Sequence, residues 1–256
     1  MHYAPVTFTE FAPWCVLAFA VCAFPVLFFV TAPYGRHARA GFGPMVNARL
    51  GWVVMESPSV FLFAFVWSQN PQFKEPMVLA LGGLWLLHYV QRTFIFSTLM
   101  RGEGKQQPLL TAVLAVSFNL FNAPGNAAGL RQRPFDAWFI AGTAIFLVGF
   151  AINVQSDAIL RGLRGPGEQG YKIPEGGLFS FVTSPNYFGE IIEWVGFALA
   201  AQTLASWAFA AFTFANLAPR AVSHHRWYRT TFPQYPTVRR ALIPFVWGVV
   251  LLVATS

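Results

Sequence analysis

The segment Ser184–Trp194 has the sequence SPNYFGEIIEW and leads into an apolar run that continues to Leu204. Within it, Glu190 and Glu193 lie about one helical turn apart. An ionised carboxylate is costly inside a bilayer, so two in one apolar segment indicate a polar cavity or a bound partner that compensates them. The segment therefore predicts a membrane helix that carries the functional site.

The composition of the chain supports a membrane protein. Of its 256 residues, 55% are hydrophobic and only 11% are charged, whereas about 25% of residues are charged in soluble domains. Apolar stretches of roughly 17 to 25 residues are typical of spanning helices. We predict about seven such helices, near residues 11–31, 52–68, 77–98, 109–125, 137–156, 186–204 and 205–219. For the shorter apolar tail at 241–255, two alternatives stand: a partial membrane span or a helix that lies in the interface.

Basic residues predict the orientation in the membrane. No lysine or arginine precedes Arg36, and Glu10 is acidic, so we expect the first segment to be a retained helix and not a signal peptide. With the N-terminus outside, most basic residues fall on one side, which should be cytoplasmic, and only Lys74, Arg131 and Arg133 on the other. The net charge of +7 suits an anionic membrane surface or an anionic cofactor. We expect no nucleic-acid partner, because these charges are juxtamembrane.

Two other patterns carry little functional information. Cys15 and Cys22 lie two helical turns apart and cannot bridge each other. The adjacent pair His224-His225 is a poor metal site, since neighbouring helical side chains point in different directions, and we predict no metal.

The longest hydrophilic stretch, Asp157–Gly177, is rich in glycine and is a candidate lid or ligand clamp. Its segment Gly165–Gly170 has the G-x-G-x-x-G spacing of dinucleotide-binding loops. It follows a helix instead of a strand and contains proline, so flexibility is the preferred explanation.

Polar side chains recur at helical spacing near the cytoplasmic ends of the last helices. Three stripes are formed by Asn153, Asp157 and Arg164, by Asn186, Glu190 and Glu193, and by Arg220, His224 and Tyr228. A dinucleotide needs this mixture: arginines for phosphates, carboxylates for ribose hydroxyls and amides for a carboxamide. We expect Glu190 to contact the cofactor directly and Glu193 to pair with an arginine such as Arg220. The stripes predict a cytoplasm-facing cofactor cavity.

Structural alternatives remain for these stripes. Asp157 and Arg164 would also suit a solvated helix end. Asn186 would also suit a helix cap, with Glu190 paired to an arginine.

A second site is predicted in the first half of the chain. Glu56 lies just inside an apolar segment, and Tyr89 and Arg92 share a helical face. Burial favours the protonated carboxyl, which with the phenol would give two donors to a carbonyl oxygen. The alternative is a structural ion pair between Glu56 and Arg92.

Several motifs resemble the steroid 5α-reductase family, over a region from about Trp52 to Pro244. They are HYVQRTF at 88–94, GFAINVQSD at 149–157, RGPGE at 164–168, YKIPEGGLF at 171–179, NYFGEIIEW at 186–194, HHRWY at 224–228 and YPTVRRALIPF at 235–245. Because so many motifs occur in one order, the resemblance is specific. The compactness of the chain favours a bacterial-type member.

The resemblance implies a seven-helix membrane enzyme that uses NADPH to reduce the Δ4 double bond of a 3-oxosteroid. It implies one catalytic domain over residues 1–256, with the substrate pocket mainly in the first half and the NADPH site at about 137–245. The NADPH contacts implied are Asn153, Asp157, Arg164, Tyr171, Asn186, Glu190, Arg220, His224 and Tyr228. The substrate contacts implied are Glu56 and Tyr89, which hold the 3-keto oxygen, and Trp52, which lines the pocket.

The partners expected are an apolar steroid-like enone and membrane lipid, with the enzyme as a monomer. Met55 stands where steroid-reducing members commonly have glutamine. Because its thioether cannot donate a hydrogen bond, an enone other than a steroid remains an alternative substrate. Three other classes remain as alternatives: another membrane NADPH sterol C=C reductase, an isoprenylcysteine-type methyltransferase and a transporter.

Overall fold

The computed structural model describes residues 7–33, 35–100, 104–165, 168 and 170–244. The described part is built from helices and one antiparallel two-stranded ribbon. The α-helices are α1 (Phe8–Phe29), α2 (Ala48–Ser68), α3 (Pro76–Val90), α4 (Phe96–Leu99), α5 (Leu109–Gly129), α6 (Ala137–Gly162), α7 (Pro185–Ala201) and α8 (Leu204–Thr231). A π-helical turn, Gln91–Ile95, joins α3 to α4, and short 3₁₀ turns lie at Gly35–His37 and Gly177–Ser180.

Four of the described helical segments are long and apolar enough to cross a membrane. They are Glu10–Phe29, Ala48–Ser68, Pro76–Leu99 and Ala137–Gly162. These features fit an all-α membrane protein, as the sequence predicts.

Two helices extend further than the hydropathy indicates. Helix α6 ends at Gly162 and not near 156, so Asp157 is helical and the predicted loop Asp157–Gly177 is correspondingly shorter. Helix α8 continues from the predicted end at 219 to Thr231, with Pro219 inside it. Tertiary packing explains both extensions, because buried polar and aromatic side chains continue the inward faces beyond the apolar runs. The tail from 245 onward lies outside the described residues.

Helices α6 and α7 pack at backbone contact because glycines lie at their interface. A Cβ atom on Gly149 would lie 2.5 Å from the Glu193 nitrogen and from the Gly189 carbonyl oxygen. On Gly142 it would lie 2.4 Å from the Ala200 nitrogen. Small residues let helix backbones approach in this way. The close approach brings the polar stripes of the two helices together.

An aromatic core lies between α3, α7 and α8. On α3 the residues Met77, Leu81, Trp85 and Tyr89 recur every four positions, and all are buried. The Trp85 indole lies 5.2 Å from that of Trp194 between ring centroids. Tyr89 therefore faces inward because it continues the buried stripe of its helix.

Short β-strand pairings connect the loops between the helices. Strand β1 (Met45–Asn47) pairs with β2 (Gln106–Pro108), and Val182 forms a parallel bridge with Arg240. The Asn47 side chain accepts hydrogen bonds from the Arg49 and Leu50 amides and so caps α2. These contacts fix where α2 begins, and with it Trp52 and Glu56.

Candidate functional site

Arg92 is the centre of a buried polar cluster. Its guanidinium donates to Asp157 Oδ2 at 2.7 Å, and Glu190 Oε2 lies 3.7 Å away. The guanidinium also lies 4.8 Å from the Trp52 ring centroid and 4.3 Å from that of Phe96. Arg92 belongs to the π-helical turn, a local geometry frequent at functional sites. Through this residue α2, α4, α6 and α7 meet.

The first two predicted stripes join in this cluster. Asn153 Nδ2 donates to the Asn186 carbonyl at 3.0 Å and to Glu190 Oε2 at 3.2 Å, while Asn186 Nδ2 donates to Asp157 Oδ1 at 3.2 Å. Asp157 is only 4% exposed, so the solvated-helix-end alternative is wrong for it. The Asn186 side chain bonds Asp157 and makes no cap, so that alternative is also wrong. The pairing of Glu190 with an arginine is confirmed, with Arg92 as the partner.

Glu193 has a different partner from the one expected. Its Oε1 lies 2.8 Å from His88 Nδ1, and both side chains are buried. The predicted pairing of Glu193 with Arg220 is therefore wrong. Arg220 instead donates to the Tyr187 hydroxyl at 2.9 Å. The reason is the helical register: Glu193 faces α3, whereas Arg220 packs against Tyr187 near the start of α7.

The predicted substrate residues lie next to the Arg92 cluster. Trp52 and Glu56 share a face of α2, and the Trp52 indole donates to the Arg92 carbonyl at 3.2 Å. Glu56 interacts electrostatically with Arg92 and with the Tyr89 phenol, but makes no ion pair within 4.0 Å to any residue that the structure describes. The ion pair between Glu56 and Arg92, given above as the alternative, is therefore not formed. The Glu56 carboxyl is left available for a ligand.

The third stripe forms a second cluster around Tyr187. The Tyr187 ring lies 5.3 Å from His224 and 5.1 Å from the Arg220 guanidinium. His224 stacks on His37 at 5.3 Å, and a small cavity lies between His37, Arg220 and His224. Tyr187 is also within electrostatic range of Glu190 and Arg92. The two clusters are therefore neighbours.

Arg36 connects the remaining predicted cofactor residues. Its guanidinium lies 4.5 Å from the Tyr228 ring centroid and 5.3 Å from that of Tyr171. Arg164 lies over the same Tyr171 ring at 5.3 Å. Arg36 also acts electrostatically on Tyr187 and His224, so Arg164, Tyr171 and Tyr228 lie next to the cluster around Tyr187.

The cluster around Tyr187 has the donors that an anion needs. Arg36 Nη1 and His37 Nε2 are buried and have no hydrogen-bond partner in the described part of the chain. Burial and the neighbouring Arg36 and Arg39 lower the pKa of His37 below its ordinary value, so this imidazole is neutral at pH 7. No group of three histidine, cysteine or acidic residues suited to a metal occurs among the described residues.

Sequence reasoning missed four contributions to this region. Arg36 was interpreted as a topology signal, while His37, the Tyr187 hydroxyl and the His88–Glu193 pair were not singled out for these contacts. His88 follows buried Trp85 by three positions and so lies on the same face of α3, which the helical spacing indicates. For Arg36 and His37 no periodic signal exists, because they lie in a turn between helices.

Comparisons with known proteins identify similar sequences. A family model described as 3-oxo-5-alpha-steroid 4-dehydrogenase matches residues 105–247. The chain is similar to 3-oxo-5-alpha-steroid 4-dehydrogenase 1 of Bos taurus, with 41% identity over 249 residues, covering 90% of this chain and 95% of that protein. The Macaca fascicularis protein of the same description is 45% identical over 222 residues, covering 83% of this chain and 84% of that protein.

A plant protein gives a similar result. Steroid 5-alpha-reductase DET2 of Gossypium hirsutum is 38% identical over 249 residues, covering 91% of this chain and 96% of that protein. Each match covers most of both chains, and the family model spans α6, α7 and α8.

Proposed function

This chain belongs to the 3-oxo-5-alpha-steroid 4-dehydrogenase family, and we propose that it uses NADPH to reduce the Δ4 C=C bond of a 3-oxo-4-ene steroid. The observation that carries the site assignment is the position of Glu56. Its carboxyl lies within electrostatic range of the Tyr89 phenol and of Arg92, with no ion-pair partner among the described residues. A carboxyl and a phenol so placed suit a ketone oxygen.

Glu56 and Tyr89 act on the substrate by hydrogen bonding. Donors aimed at the ketone oxygen draw electron density toward it, leave the β-carbon electron-poor and stabilise the negative charge that develops on that oxygen. Trp52, on the same face of α2 as Glu56, lines the pocket for the apolar rings. Steroid entry through the membrane and exclusion of water both suit this apolar setting.

The donor set fits a dinucleotide. His37 lines a small cavity with Arg220, and His37 and the adjacent Arg36 carry buried nitrogens without a hydrogen-bond partner in the described part of the chain, which suit phosphate. The amides and carboxylates of the Arg92 cluster suit a carboxamide and ribose. NADPH, when bound, supplies a hydride. The chain's own contribution is to hold Asp157 and Glu190 in place, through Arg92, beside the ketone-binding residues.

The membrane arrangement is part of the proposal. We place the seven long helices across the bilayer, with the N-terminus outside and the clusters facing the cytoplasm. The basic residues Arg36, Arg164 and Arg220 then lie on the side where NADPH is available, in accord with the positive-inside rule.

Ligand-dependent stability tests the cofactor. Detergent-purified protein is heated with NADPH, with S-adenosylmethionine or with neither. A ligand at 100 times its Kd stabilises the folded state by about 2.7 kcal/mol, so NADPH should raise Tm. Stabilisation by S-adenosylmethionine alone would contradict the reductase and support a methyltransferase. Stabilisation by neither, together with no NADPH oxidation in the presence of a 4-en-3-one, would favour a transporter.

A further inference from the structure

His88 and Glu193 form a buried pair that the proposed chemistry does not use. Their side chains are 3% and 0% exposed, and His88 Nδ1 lies 2.8 Å from Glu193 Oε1. The second carboxyl oxygen, Oε2, is buried without a hydrogen-bond partner among the described residues. Buried polar atoms are almost always paired, so an exception needs a physical explanation.

The pair lies between the two functional regions. His88 directly precedes Tyr89, and its ring meets the Tyr89 ring edge-on at 4.9 Å and the Trp194 ring at 4.7 Å. Glu193 follows Glu190 by about one turn of α7. Its backbone is fixed against α6 at Gly149. The pair therefore joins the helix of the ketone-binding phenol to the helix of the proposed cofactor residues.

Stability alone does not explain the pair. Replacing a buried ionisable pair by apolar side chains of similar volume is often neutral or stabilising. The His88 ring contacts the rings of Tyr89 and Trp194, which would also pack against an apolar replacement. A directional contact, by contrast, fixes the spacing and rotation of α3 relative to α7, which apolar packing specifies less sharply.

We propose that His88 and Glu193 are positioning residues for the enone reduction, which hold Tyr89 in register with the cofactor residues of α7. The proposal rests on the proposed function, since it concerns the same reaction. A displacement of about 1 Å in a reacting group lowers rates by roughly 100-fold. Loss of the contact should therefore lower kcat and leave cofactor binding largely intact.

The test is the double variant His88→Phe/Glu193→Leu in the full chain. We expect Tm in detergent to equal or exceed that of the wild type. We expect kcat with a 4-en-3-one to fall by roughly 100-fold, with KM for NADPH changed by less than about threefold, which is under 1 kcal/mol. A double variant with wild-type kcat would overturn the proposal.

If the double variant does not fold, a matched pair of single variants tests the positioning role. Glu193→Gln keeps an oxygen acceptor for His88, and Glu193→Met has a similar shape with only a weak sulfur acceptor. We expect the Gln variant to retain most of kcat and the Met variant to lose roughly 100-fold. Equal kcat values for the two would overturn the proposal. The pH profile of the Gln variant should match the wild type, and a missing limb would make Glu193 a proton-transfer group instead.

Wild-type turnover separates this inference from the function on which it rests. If the wild type reduces no 4-en-3-one, the proposed function fails. If the wild type is active and the double variant equally so, only the positioning role fails.

Discussion

The Arg92 guanidinium donates to the Asp157 carboxylate at 2.7 Å, and the two side chains are 9% and 4% exposed. Arg92 follows Tyr89, the proposed ketone-binding phenol, by less than one helical turn, and Asp157 lies on α6. One buried ion pair thus links the two regions of the proposed active site. Its removal should be more damaging than the loss of an exposed pair, because it leaves an uncompensated charge inside the protein.

The first prediction concerns that ion pair. Arg92→Gln should lower the free energy of unfolding in detergent by about 3 to 5 kcal/mol. Lys172→Gln is the control, since the Lys172–Glu168 pair is exposed and its loss should cost less than about 1 kcal/mol. The cost of Arg92→Gln should shrink when Asp157→Asn is already present. An unchanged cost in that background would show that the pair is not coupled.

The second prediction concerns the glycine contact between α6 and α7. Gly149→Val should lower both Tm and NADPH affinity, because its Cβ would lie 2.5 Å from backbone atoms of Glu193 and Gly189. Gly162→Ala at the end of the same helix has nothing within 4 Å and should be neutral or stabilising by up to about 1 kcal/mol. Thermal unfolding and NADPH titration measure both variants. Equal behaviour of the two would refute the close packing.

The third prediction concerns the phenol of Tyr89. Tyr89→Phe keeps the aromatic packing of α3 and removes one donor to the ketone oxygen. Loss of such a donor lowers kcat by about 100- to 1,000-fold. The Kd of NADPH should be unchanged, since the hydrogen bonds of the two proposed cofactor clusters in the described part of the chain do not involve the Tyr89 hydroxyl. Unchanged turnover in steady-state assays would exclude the phenol from the chemistry.

The fourth prediction concerns pH. Burial and Arg36 hold the pKa of His37 below its unfolded value, so the unfolded chain binds a proton more readily. His37 therefore costs stability as pH falls through the ordinary histidine range near 6.5. His37→Gln should lose less Tm than the wild type between about pH 7.5 and pH 5.5. Parallel Tm curves for the two proteins would rule out this contribution.

Much of the fold follows from hydropathy, because an apolar run long enough to cross a bilayer forms a helix. The ends of α6 and α8 do not follow from hydropathy, since packing of residues such as Asn153 and Tyr228 continues the helices beyond the apolar runs. The stripes on α6 and α7 were predictable from helical spacing, and the structure brings them together. The partner of Glu193 was not predictable, because helical spacing gives the direction of a side chain but not the neighbouring helix that it meets.

The proposed reaction is tested most directly by product analysis with testosterone and NADPH. Detergent-purified wild type and Glu56→Leu are incubated under identical conditions, and the steroid is identified by mass spectrometry. We predict that the wild type forms a product heavier by two hydrogens, with one NADPH consumed per product. Glu56→Leu, which has no donor, should form the same product at least about 100-fold more slowly. Absence of a reduced steroid, with progesterone and related 4-en-3-ones as well, would contradict the reaction, and equal rates in the two proteins would contradict the role of Glu56.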